Sequence, residues 1–132
     1  MPIKNLPNHL KGKTVMQISD IHVGNRFDYN YIIDSFKKAQ QFNPDFVVYT
    51  GDYISYENAK QYEQLKEVLD YTVKGKVATL GILGNHDYGD YMAWSSISEK
   101  RRNLEDMIKV HERMGWDLLM NENRSVRIGT DQ

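Results

Sequence analysis

Cysteine is absent from this chain, which removes thiol catalysis, disulfides and cysteine-ligated zinc and leaves the redox compartment open. Long apolar runs are absent too. None approaches the roughly 20 residues needed to cross a bilayer, and the opening Met1-Pro2-Ile3-Lys4-Asn5-Leu6-Pro7 lacks the apolar stretch of about 7 residues that a signal peptide carries. The chain as it stands is therefore expected to be soluble. Charge of one sign is also lacking: a formal net charge of −1 argues against a strongly basic nucleic-acid surface, while leaving room for a local positive cluster. No glycine-rich loop follows the first apolar run, which disfavours a flavodoxin-like nucleotide binder. No internal repeat or low-complexity tract is visible.

The 132 residues, 40% hydrophobic and 27% charged, have the composition of an ordinary globular domain or part of one. Residues 1–13, with two of the three prolines, read as an extended lead-in. The run 14–19 predicts a first strand. Asp28 is placed to cap a helix over about 29–42, with Tyr29, Ile32, Ile33, Phe36 and Ala39 on one face and Asn43-Pro44-Asp45 to stop it. Phe46-Val47-Val48-Tyr49-Thr50 is nearly continuous apolar sequence, the pattern of a parallel strand buried on both faces. A helix is expected over 57–72, a third strand over 76–83, and a helix over 98–114 ended by Gly115. Residues 117–120 and 125–128 are suited to a closing hairpin. Strand, helix, strand, helix, strand is the order of right-handed parallel crossovers, so the fold class is α/β.

Chemistry-bearing residues gather at the ends of the three apolar runs, where open α/β sheets bind ligands. Asp20-Ile21-His22 ends the first; in extended backbone its two outer side chains point the same way and can grip one ion, although a loop Asp and a loop His is the commoner meaning of that spacing. Gly51-Asp52 ends the second, and a carboxylate there can bridge two cations; alone, Gly-Asp is an ordinary turn. Gly84-Asn85-His86-Asp87 ends the third and is the sharpest of the set. Asn85 offers a neutral amide oxygen to a metal, His86 suits a general acid better than a ligand, and Asp87 is available to orient its imidazole.

In order, spacing and strand context these three motifs resemble the first three of the calcineurin-like metallophosphoesterase superfamily. Gln17-Ile18-Ser19-Asp20-Ile21-His22-Val23-Gly24 and Tyr49-Thr50-Gly51-Asp52-Tyr53 are similar to its bacterial phosphohydrolase branch, some members of which carry an amino-terminal membrane segment. The resemblance implies an α/β sandwich and a two-metal hydrolysis of a phosphomonoester or phosphodiester. Asp20 and His22 would bind the first ion, Asp52 would bridge, Asn85 would bind the second, and His86, supported by Asp87, would protonate the leaving alkoxide. Mixed nitrogen and oxygen ligands suit manganese, iron or zinc.

The family pattern continues with a further histidine motif and a Gly-His-x-His motif. After His86 the sole histidine here is His111, which sits in a predicted helix and reads as a half-buried helix residue; His9 precedes the first strand. Residues 1–132 are therefore expected to be the amino-terminal part of one metallophosphoesterase domain. Its partner would be a phosphate-ester substrate, and its location cytoplasmic or membrane-associated through a tether in a longer parent chain. The alternative is a non-catalytic module that self-associates through exposed sheet edges. Tyr53, Tyr88, Tyr91 and Trp94 read equally as a substrate entrance or as packing, and Lys100-Arg101-Arg102 could attract a phosphate-bearing substrate, although a charge run at the start of a helix is more often a solvated face.

Overall fold

The apolar runs form four short strands: β1 (Val15–Ile18), β2 (Phe46–Tyr49), β3 (Ala78–Gly81) and β4 (Asp117–Leu118). The computed structural model describes residues 2–24, 28–54 and 66–128. The strands make one parallel sheet in the order β1-β2-β3-β4, with Val15 opposite Phe46, Phe46 opposite Ala78 and Leu80 opposite Asp117.

Helix α1 (Tyr29–Gln40) begins where the Asp28 carboxylate accepts the Asn30 N–H at 3.0 Å, and it buries Ile32, Ile33 and Phe36 as the spacing predicts. Asn43, at a φ of 47°, turns the chain into Pro44 and β2. Helix α2 (Lys66–Leu69) falls inside the expected 57–72; residues 57–65 of that expectation lie outside the described residues. Helix α3 (Ile97–Met114) starts on a cap at Ser96, whose hydroxyl accepts the Glu99 N–H at 3.1 Å while Glu99 reaches back to the Ser95 N–H at 3.0 Å. Gly115, at a φ of 70°, ends it. The buried stripe of α3 runs through Met107, Val110, His111 and Met114, with Leu104 and Ile108 at its margin.

A sheet wound in sequential order by right-handed crossovers receives all its helices on one face. Met16, Ile18, Val47 and Tyr49 lie in or against the core there, while on the other face Val15 and Gln17 are exposed and Phe46 and Val48 half-buried. The expectation that β2 is buried on both faces is thus corrected: the described chain covers one. Its core is closed by an aromatic group. Trp116 stacks on Tyr49 with centroids 3.6 Å apart, Tyr53 lies 4.9 Å from Trp116, and the Tyr49 hydroxyl donates to the Val73 carbonyl at 2.9 Å. His111 is fully buried among these rings, 5.1 Å from Tyr53. Burial holds its imidazole below its usual pKa, and a hydrogen-bond contact of Nδ1 with the Met107 carbonyl at 2.8 Å raises it. It is a core residue, more enclosed than its sequence position implies.

The closing hairpin gives way to a different ending. Asp117–Leu118 extends the parallel sheet beside β3, the Leu119 N–H donates to Gly81, and residues 122–127 return without strand structure. Trp116 accounts for the choice, since burying that ring against Tyr49 draws the next two residues onto the open edge of β3. Arg124 folds back onto Asp117 at 2.8 Å.

Candidate metal centre

Past the carboxyl ends of β1 and β2 the two chains stay paired. Asp20 N–H donates to Gly51 O at 3.1 Å and His22 N–H to Asp52 O at 3.0 Å, and Val23 bridges to Ile54. This is not extended backbone. Asp20, His22 and Asp52 have φ of 56°, 48° and 56°, and Gly51 has 91°. Left-handed conformations at side-chain-bearing residues cost energy and are found where surrounding contacts hold them, with Asp and His among the residues that tolerate them. The sequence expectation that Asp20 and His22 align by extended alternation is corrected accordingly. They still approach, Asp20 Oδ1 lying 3.8 Å from His22 Nε2, with the other Asp20 oxygen accepting the Ser19 hydroxyl at 2.5 Å.

The glycines of the second and third motifs are explained by one close approach. A Cβ on Gly51 would stand 2.3 Å from the Gly84 nitrogen, and one on Gly84 would stand 2.1 Å from Asp52 Oδ1 and 2.5 Å from the Asp52 nitrogen. Only bare backbone on both sides lets these loops meet. Asp87 then clamps them. Its carboxylate, fully buried, accepts the N–H groups of Asp52 at 2.8 Å, Tyr53 at 2.9 Å, Ile54 at 3.4 Å and Gly84 at 2.8 Å. Burial pushes this carboxyl above its usual value and the four N–H groups pull it back. The sequence assigns Asp87 to orienting the His86 imidazole; the structure gives its oxygens to backbone, because a buried carboxylate needs donors and two converging loops supply them.

Held this way, His22, Asp52 and His86 bring one ligand atom each within 4.8 Å of one another. The His22 and His86 rings meet edge to face at 4.7 Å, and Asp52 Oδ1 accepts the His86 backbone N–H at 3.0 Å. The Asn85 amide completes the group against Asp52. With its nitrogen toward the carboxylate it donates to Oδ2 at 3.1 Å and Oδ1 at 3.0 Å, and its oxygen accepts from the Tyr91 hydroxyl at 2.6 Å; turned over, its nitrogen donates to that hydroxyl. The His22 and His86 imidazoles and the Asp52 carboxylate converge at the carboxyl end of the sheet with the Asn85 amide against that carboxylate, and this set of nitrogen and oxygen donors fits a divalent cation. Asp20 stands at its solvent side, its carboxylate exposed.

Of the four aromatics near the motifs, Tyr88 is half-buried and the other three divide. Tyr53 is core. Trp94 closes the loop by donating to the Gly89 carbonyl at 2.7 Å, and Tyr91 lies exposed over His86, centroids 4.7 Å apart. Tyr91 is the site residue that sequence reasoning does not single out, since nothing in its spacing from Asn85 distinguishes it from Tyr88. Lys100 pairs with Asp90 at 2.6 Å, while Arg101 and Arg102 are exposed.

The sequence profile of the calcineurin-like phosphoesterase family matches residues 13–126. Among curated proteins, the chain is 32% identical over 92 residues to UDP-2,3-diacylglucosamine pyrophosphatase LpxG of Chlamydia trachomatis, a match covering 67% of this chain and 28% of that protein. It is 29% identical to the metallophosphoesterase YkuE of Bacillus subtilis, covering 65% and 30%, and 28% identical to a transmembrane protein with metallophosphoesterase domain of Danio rerio, covering 71% and 22%. The chain thus spans less than a third of the length of these relatives. No solved structure gives a significant match. Among the described residues no helix is long and apolar enough to cross a membrane. With the profile spanning most of the sequence and all three motifs inside it, the chain belongs to the calcineurin-like phosphoesterase family.

Proposed function

We propose that this chain forms the amino-terminal part of a metallophosphoesterase domain and carries half of a two-metal centre that hydrolyses a phosphomonoester or phosphodiester. The observation that carries this reading is the convergence of His22, Asp52 and His86 within 4.8 Å, with the Asn85 amide on the Asp52 carboxylate. Asp20 and His22 would hold one cation, Asn85 the second, and Asp52, with a carboxylate oxygen for each, would lie between. Manganese, iron and zinc all suit these ligands. Bound cations in such a centre neutralise phosphoryl oxygens and activate water. His86, beside His22 and under Tyr91, is available to give a proton to the leaving alkoxide. Asp87 holds the two loops that carry Asp52 and His86 at working distance. The LpxG name supports a phosphoanhydride or phosphoester of an amphipathic molecule as one substrate class, and the Danio rerio relative supports a membrane-associated parent chain.

Calorimetric titration of the 132-residue chain with manganese, beside Asp52→Ala, tests the reading. Binding that is lost in the variant is the expected result, and any manganese-dependent phosphoesterase activity should be lost with it. Equal titrations of both proteins would overturn it.

A second reading, a module that self-associates, is favoured by the uncovered sheet face, where Val15 is 67% exposed.

A further inference from the structure

The loop after the third motif folds back on itself for a reason visible in its contacts. Asn85, His86 and Gly84 carbonyls accept the N–H groups of Asp90, Gly89 and Tyr88 at 3.3, 2.9 and 3.2 Å. Gly89, at a φ of 68°, lets the Trp94 indole lie against it and donate to its carbonyl at 2.7 Å. A Cβ there would stand 2.5 Å from the Trp94 ring. The Lys100–Asp90 pair ties the same turn to α3. The product of this folding is Tyr91. Its ring is 67% exposed and so does little for the core, yet it lies over His86 at 4.7 Å and 35°, with its hydroxyl 2.6 Å from the Asn85 amide.

We infer that Tyr91 is a positioning residue that holds the Asn85 amide in register with Asp52. The inference rests on the metal-centre reading above. A phenol hydroxyl can donate or accept. With the Asn85 nitrogen toward Asp52, the Tyr91 hydroxyl donates to the Asn85 oxygen at 2.6 Å. Were the amide oxygen to face a cation instead, the same hydroxyl would be able to accept from the amide nitrogen. A hydroxyl can serve the amide either way round, whereas a carboxylate only accepts and an ammonium only donates. Groups that orient a ligand in this way are typically worth about 10–100-fold in metal affinity.

Two measurements test this. In a heteronuclear correlation spectrum of the metal-free chain, the Asn85 side-chain amide, identified by its loss in Asn85→Ala, should shift in Tyr91→Phe, which keeps the ring over His86 and removes only the hydroxyl. An unmoved amide overturns the contact. In manganese calorimetry, Tyr91→Phe should bind about tenfold more weakly than wild type and should add nothing in an Asn85→Ala background. Unchanged affinity, or the same loss with and without Asn85, overturns the positioning role. A wild-type chain that takes up no manganese overturns the metal-centre reading and this role with it. That result is distinct from a failure of the Tyr91 variant alone.

Discussion

Asp87 shows how a residue can belong to a site's motif without touching its chemistry. Two oxygens accept four backbone N–H groups from the loops after β2 and β3, so one side chain sets the separation of Asp52 and Asn85. Asp87→Asn keeps the shape but turns an NH2 group toward two of those donors. The loss expected is about 3 kcal/mol of folding stability, read as a lower urea midpoint. Manganese affinity should fall with it even though no proposed ligand has changed. Unchanged affinity would mean that the loops hold their spacing without the clamp. The left-handed Asp20, His22 and Asp52 make a related point: three of the four residues proposed to bind metal have a strained backbone.

At the scale of the elements, the sheet is fastened at its other end by a second aspartate. Asp45, just ahead of β2, accepts the Thr14 N–H at 2.9 Å and hydroxyl at 3.1 Å, just ahead of β1. It pairs with Lys13 at 3.2 Å and with Lys76, ahead of β3, at 3.3 Å. The Thr14 N–H above all, with the two lysines and the Thr14 hydroxyl, holds its carboxyl well below the usual carboxylate range, against the cost of burial. A depressed folded pKa contributes stability that is fully present above the unfolded value, near 3.8, and is lost as pH falls through the lower folded value. Thermal midpoints measured against pH should therefore decline below about pH 4. Asp45→Asn should melt lower at neutral pH and decline less steeply in acid; an equal acid slope in both proteins would remove Asp45 from that account.

For the whole molecule, the decisive feature is a parallel sheet helix-covered on one side. Val15, Gln17, Phe46 and Val48 line a face that the described residues leave open. Apolar surface of that kind favours association. Sedimentation velocity should find species heavier than a monomer that grow with concentration, and Val15→Lys should shift them toward monomer. A concentration-independent monomer would remove the self-association reading.

The local order of this protein was determined by its sequence. Apolar runs and helical faces located three strands and two of the helices. Asp28 and Gly115 capped where their chemistry requires, and three short motifs named the family, because capping, periodicity and ligand type are properties of neighbouring residues. Tertiary structure decided the rest. The Gly51–Gly84 approach, the clamp by Asp87 and the Tyr91–Asn85 contact each join backbone or side chains brought together only after the sheet forms, at distances no spacing encodes. The same holds for β4, drawn into the sheet by the burial of Trp116 on Tyr49, and for the open face of β2, since an apolar run records what a strand can bury and the crossovers determine what covers it.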